Sequence, residues 1–195
     1  MICTLCPRMC GALRRELDGD GYCAMGTRPV ADRSALHFDE EPCLSGRRGS
    51  GAIFFSGCTL GCVYCQNDEI SRGRAGAPVS DLRGMMENLV RQGAANINLV
   101  TGTHFVPAIL EALKNPLPVP AVWNSGGYER VETLKSLEGK IQIYLPDFKY
   151  VDERGAQRYS NAPDYPETAR KAILEMARQA GPCAFDSDGY MLRGL

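Results

Sequence analysis

"AIFFSGCTLGCVYCQN", residues 52–67, joins a short apolar run to three cysteines and two glycines. Residues 52–56 read as a buried strand, stopped at once by Gly57. Three later runs have the same character: "NINLVT" (96–101), "PAVWN" (120–124) and "IQIYLPD" (141–147). Between them the apolar residues change period. Leu82, Met85, Met86, Leu89 and Val90 repeat at helical spacing and stop at Gly93. Val106, Ile109, Leu110 and Leu113 do the same, and Val131, Leu134 and Leu137 do so before Gly139. Ala169, Ala172, Ile173, Met176 and Ala180 line a fourth face, closed by Gly181. Four strand-then-helix units in succession predict an α/β fold with a parallel sheet under covering helices.

Two architectures fit this order: an open doubly wound sheet and a complete or partial (β/α) barrel. Both put the functional site at the carboxyl ends of the strands. Polar residues fall at those ends: "SGC", "TGTHF", "NSGGY" and "DFKY". The barrel is preferred, because a cysteine loop follows the first strand and all four strand ends carry candidate ligands.

Before this region the composition differs. Residues 1–30 are rich in cysteine and glycine without a sustained period, and residues 31–51 read as a polar connector. The division expected is a cysteine-rich, metal-binding segment with its connector over 1–51 and the partial barrel over 52–195. The 195 residues are 44% hydrophobic and 23% charged, with a net charge of −1. Such a balance argues against an electrostatic nucleic-acid surface. The amino terminus lacks a signal-peptide layout, and no apolar run reaches the ~20 residues a membrane span needs. A cytoplasmic protein is expected, in which the nine cysteines stay reduced and clustered thiols serve as metal ligands.

Cys58, Cys62 and Cys65 read C-x3-C-x2-C, with no fourth cysteine nearby. Structural zinc and ordinary electron-transfer clusters take four protein ligands. A cubane [4Fe–4S] cluster held by three thiolates keeps one iron open to another molecule. Gly57 and Gly61 give the loop the backbone freedom to wrap such a group. The competing readings are a disulfide with a spare thiol, or zinc completed by a distant residue. Cys3, Cys6, Cys10 and Cys23 make a separate set of four, C-x2-C-x3-C-x12-C, suited to zinc or an auxiliary iron–sulfur cluster. Scattered buried thiols are the plain alternative there. Cys43 is read as a spare ligand and Cys183 as a core thiol.

C-x3-C-x2-C with Tyr64 before the last cysteine resembles the radical S-adenosylmethionine (SAM) superfamily. Within it, "SGCTLGCVYCQNDEIS", "HFDEEPCLSGRRGSGAIFFSGC" and "YSNAPDY" are similar to proteins like pyruvate formate-lyase activating enzyme. The resemblance spans essentially the whole chain. It implies that SAM chelates the open iron and is cleaved reductively to methionine and a 5′-deoxyadenosyl radical, which abstracts hydrogen from a substrate. The substrate implied is a glycine of a partner glycyl-radical enzyme, with a small molecule as the alternative. The electron would come from a low-potential donor, flavodoxin or ferredoxin. A non-catalytic iron–sulfur electron carrier is the reading from a different class.

The resemblance also suggests roles at the strand ends. Gly102, Thr103 and His104 stand where the family contacts the SAM amino group through a Gly-Gly-Glu-like turn. The usual acid is replaced here, and His104 reads equally as a surface-loop histidine. Asn124 and Ser125, opening "NSGG", are similar to a turn that contacts SAM or a cation; a plain glycine turn is the alternative. Asp147 and Lys149 resemble an Asp-x-Lys motif facing the barrel mouth, against a solvated ion pair. Tyr64 packs on the adenine or merely fills core space. The resemblance implies six β/α units and four are counted, so C-terminal strands are expected beyond Leu195. The fourth strand would then expose an unpaired edge, and a tight hairpin is expected around Asp188-Gly189.

Overall fold

The computed structural model describes residues 2–195. Strands β1 (Val30–His37) and β2 (Ser50–Phe55) precede a short helix α1 (Asp68–Ser71) and the two-residue strand β3 (Ala77–Pro78). The chain then alternates through α2 (Leu82–Arg91), β4 (Ile97–Val100), α3 (Val106–Ala112), β5 (Ala121–Ser125), α4 (Val131–Ser136) and β6 (Ile143–Pro146). Helices α5 (Glu153–Ser160) and α6 (Tyr165–Ala180) and a hairpin of β7 (Ala184–Phe185) and β8 (Met191–Arg193) complete it. The fold is mixed α/β around a mostly parallel six-stranded sheet of order β3-β1-β2-β4-β5-β6.

The four apolar runs are the four parallel strands, paired in chain order: β2 with β4, β4 with β5, and β5 with β6. Their registers place Ile53, Leu99, Trp123 and Tyr144 in one row across the sheet. Alternate residues of a strand share a face, so this row meets Met86, Leu89, Ile109, Leu134 and Met176 from the helices in one core. Burying each such large side chain stabilises by roughly 1.5–3 kcal/mol relative to leaving it in water. Val122 and Ile143 point the other way and pack under Leu44. The helix boundaries follow local chemistry. Asp81 caps α2 by accepting the Gly84 N–H at 2.8 Å, and Gly181, at φ +64°, ends α6.

Three expectations are corrected. Residues 31–51 are more than a connector, because β1 pairs antiparallel with β2 along Ala31–His37. Asp32, Arg33 and Ser34 face solvent, so a strand with polar outward positions hides among loop-like residues. The outer edge of β6 does not stand unpaired. Gly194 runs parallel to Ile143, with Tyr144 N–H donating to Gly194 O at 2.9 Å and Gly194 N–H to Gln142 O at 3.1 Å. Cys183 is exposed beside this tail, so it is not a core thiol. The expected hairpin is present, with Gly189 at φ +85° in its turn. No helix among the described residues is long and apolar enough to cross a membrane.

Candidate functional site

All four parallel strands end at one cavity of about 460 Å³. Cys58, Cys62, Tyr64 and Cys65 reach it from the loop after β2, and Thr101 and Thr103 from the end of β4. Asn124, Ser125 and Glu129 come from the end of β5, and Asp147 and Lys149 from the end of β6. Of the candidate site residues expected at the carboxyl ends of the strands, all but Gly102 and His104 line this cavity.

The cysteine loop turns where its glycines allow. Gly57 and Gly61 lie at φ +81° and +66°, conformations that L side chains resist. A Cβ on Gly57 would fall 2.4 Å from Met25 Cγ, and one on Gly61 2.9 Å from Tyr22 Oη. The amino-terminal segment thus presses directly on the loop. Cys58 Sγ accepts the backbone N–H groups of Leu60 and Gly61, each at 3.4 Å, and Cys62 Sγ accepts the Ser160 hydroxyl at 3.1 Å. Burial pushes the Cys58 thiol above its ordinary pKa, with the Gly61 and Leu60 N–H groups opposing that rise.

These three thiols and their sulfur-directed donors suit a thiolate-bound cluster in donor chemistry. Among the described residues no three His, Cys, Asp or Glu side chains stand in the geometry that holds a single metal ion. In the amino-terminal set, Cys6 interacts electrostatically with Cys3, Cys10 and Cys23, so these four are neighbours in space. Burial pushes the Cys6 thiol up to about 12, against the Arg8 backbone N–H that stabilises its charge. Cys43 lies apart from both groups, against Leu44 and Met191 under the sheet, and is no spare ligand.

Several other expected residues find definite places. Tyr64 is 53% exposed and meets Tyr150 and Tyr159 edge-on, so it is not core filling. Lys149 Nζ donates to Asp147 Oδ2 at 2.6 Å, with the Lys149 side chain 28% and the Asp147 side chain 65% exposed. Burial works to lower the Lys149 pKa, but its hydrogen bond to Asp147 and the carboxylate's charge outweigh that and hold it raised. The Tyr165 hydroxyl lies 2.8 Å from Gly126 O and 2.9 Å from Asp147 O and accepts the Lys149 N–H. One side chain of α6 thus fastens the β5 and β6 ends together.

His104 is neither on the surface nor at the cavity. It is 1% exposed, and its Nε2 lies 2.7 Å from Ser56 O, tying the β4 end to the β2 end. Burial lowers its pKa to about 4, against the Ser56 hydrogen bond, so it is neutral at pH 7. Gly102 also lies outside the cavity lining, packed where a Cβ would meet Ile109 and Trp123. Of that trio only Thr103 lines the cavity, and its hydroxyl donates to Glu129 Oε1 at 2.7 Å.

Two acids in the lining escaped the sequence reading. Glu129 is 2% exposed, and burial raises its carboxyl to about 7 although Thr103, Ser125 and Trp123 all favour the charged form. Ser125 and Trp123 are near enough for that, yet Glu129 Oε2 completes no hydrogen bond. Glu40, beyond β1, accepts the side-chain amides of Asn98 at 3.1 Å and Asn124 at 3.3 Å. Burial raises its carboxyl too, helped by the charge of Glu41. Thr101, also unforeseen, holds φ +60° at the rim, a strained conformation for a β-branched residue.

Among known proteins, the chain is similar to "Uncharacterized protein MJ0674" of Methanocaldococcus jannaschii. The two are 30% identical over 176 residues, covering 84% of this chain and 50% of the relative. The chain therefore spans about half the length of the curated relative it matches. No protein-family model matches it, and neither does any solved structure.

Proposed function

We propose that this chain is a radical SAM iron–sulfur protein of the kind that resembles pyruvate formate-lyase activating enzyme. The observation that carries the reading is the single cavity onto which Cys58, Cys62 and Cys65 open together with the ends of all four parallel strands. The pairing of those strands in chain order, with no reversal, supports an arc of a (β/α) barrel over a doubly wound sheet, whose order reverses at its binding crevice. In this reading Cys58, Cys62 and Cys65 hold a [4Fe–4S] cluster. When bound, such a cluster with SAM supplies a 5′-deoxyadenosyl radical for hydrogen abstraction.

The residues of the chain bind and orient. The Lys149 ammonium offers a charge-assisted contact to a carboxylate, and Asp147 holds it at the rim. Thr103, Asn124 and Ser125 offer polar contacts from two further strand ends, and Tyr64 offers an aromatic face to an adenine. Water is kept out on the inner side by the buried Leu60 and Tyr128. The partners proposed are a low-potential flavodoxin or ferredoxin and a glycyl-radical enzyme as substrate. Cys3, Cys6, Cys10 and Cys23 are proposed to hold a second metal, zinc or an auxiliary iron–sulfur cluster. Nine free thiols favour a cytoplasmic setting.

Anaerobic reconstitution with iron and sulfide, reduction, and assay for 5′-deoxyadenosine test the reading. Release of 5′-deoxyadenosine from SAM is the expected result. A reduced, cluster-loaded chain that leaves SAM intact would be an electron carrier instead. Within the same assay Lys149→Ala is expected to weaken SAM binding roughly tenfold, the loss of one charged hydrogen bond, while iron content stays at the wild-type level. Equal SAM affinity in that variant would return Lys149 to a plain surface ion pair.

A further inference from the structure

Arg8 lies between Cys6 and Cys10, in the amino-terminal segment, yet its guanidinium is committed elsewhere. Its Nε donates to Thr59 O at 2.9 Å, and its Nη2 donates to Leu60 O at 3.0 Å and Ser160 O at 2.7 Å. Nη1 donates to Asn161 O. Its Cζ stands 3.8 Å from the centre of the Tyr22 ring and 5.3 Å from that of Tyr128. Four carbonyls on two distant segments thus converge on one planar fork, which has five N–H donors.

Two of those carbonyls belong to the thiol loop, and their peptide units have a second end. Thr59 O shares its peptide with Leu60 N–H, and Leu60 O shares its peptide with Gly61 N–H. A planar trans peptide points its C=O and N–H in opposite directions, and no peptide in the described chain is cis. Pulling both oxygens toward Arg8 therefore turns both hydrogens toward Cys58 Sγ, where they lie with N···S distances of 3.4 Å. Ser160 connects Arg8 to the other thiol only indirectly, since its hydroxyl turns about its own side-chain torsion and also meets Tyr150 Oη at 2.6 Å. Its carbonyl is held by Arg8, and its hydroxyl donates to Cys62 Sγ at 3.1 Å.

We infer that Arg8 is a positioning residue that aims two peptide N–H groups at the sulfur of Cys58. Through it the amino-terminal segment sets the electronic surroundings of the thiol loop. Hydrogen bonds to ligand sulfurs withdraw electron density and help set the reduction potential of an iron–sulfur cluster. A lysine keeps the charge over Tyr22 but has no planar fork, so it cannot hold the same carbonyls in the same directions. The electrochemical consequence rests on reading Cys58 as a cluster ligand; the backbone geometry does not.

The experiment has two arms, each using Arg8→Gln and Arg8→Lys in the full chain. In the metal-free protein, amide hydrogen exchange at Leu60 and Gly61 is expected to speed up about tenfold in both variants, the loss of roughly one hydrogen bond each. The sheet amides of Leu99 and Trp123 should keep their wild-type rates. Wild-type exchange at Leu60 and Gly61 in the variants, or full restoration by lysine, would overturn the inference. If Arg8→Gln also loses the sheet amides, Arg8→Lys decides, since its stem and charge still pack on Tyr22. In the reconstituted protein, the cluster of Arg8→Lys is expected to have a more negative reduction potential than wild type. An unchanged potential would likewise overturn the inference. A wild-type chain that takes up no cluster would defeat the radical SAM reading instead, and amide exchange would then decide the role of Arg8.

Discussion

On the radical SAM reading proposed above, replacing any one of Cys58, Cys62 or Cys65 by alanine is expected to abolish the SAM-responsive iron–sulfur signal outright. In that reading three thiolates would hold three irons of a cubane, and removing one would leave a second iron without a protein ligand. The loss should be all-or-none in iron content and in the paramagnetic spectrum, unlike Lys149→Ala, which in the same reading removes a proposed cofactor contact and no iron ligand. Two cysteines serve as internal controls. Cys43 packs under the sheet against Leu44, and Cys183 is exposed beside the carboxyl-terminal tail. Alanine at either position should leave the signal intact. A SAM-shifted spectrum surviving in Cys58→Ala, Cys62→Ala or Cys65→Ala would show that the ligands lie elsewhere.

The parts of the molecule legible in the sequence are those governed by local period. The runs at 52–56, 96–101, 120–124 and 141–147 are mostly apolar because strands covered on both faces leave few polar positions, and each became a parallel strand. The glycines at 57 and 61 announced a tight loop because the backbone there needs positive φ. What stayed hidden depends on contacts far apart in the chain. Glu129 looks like any charged residue after a glycine turn. Its burial against Thr103, from another strand end, is what makes it unusual. Glu40 sits in a polar stretch, and only folding brings Asn98 and Asn124 to it. His104 fails in the opposite sense. A histidine after "TGT" at a strand end reads equally as a cofactor contact or a surface-loop residue, but its ring turns inward to Ser56 O. Arg8 is one basic residue among 22, and its four carbonyl acceptors lie more than fifty residues away.

Glu129→Gln is expected to stabilise the protein at alkaline pH by about 3 kcal/mol and to change it little near pH 5. In the fold the Glu129 carboxyl titrates at about 7, against an ordinary value of 4.5, chiefly because burial disfavours its charge. The native state therefore binds more protons than the unfolded chain between those two values. Stability must fall as pH rises through that window and then level off above it. A tenfold change in proton affinity is worth about 1.4 kcal/mol, so the rise from 4.5 to about 7 gives the figure above. Glutamine cannot ionise, yet its carbonyl still accepts from the Thr103 hydroxyl, so it keeps the 2.7 Å contact without the charge. Glu40 also has a raised pKa and adds its own slope to the wild-type curve. The quantity to measure is therefore the difference in unfolding free energy between wild type and Glu129→Gln, from urea titrations at pH 5, 6, 7 and 8. That difference should grow in favour of the variant up to about pH 7 and stay constant beyond. A difference that does not change with pH would mean that Glu129 titrates at an ordinary value, with its free oxygen reached by water from the cavity.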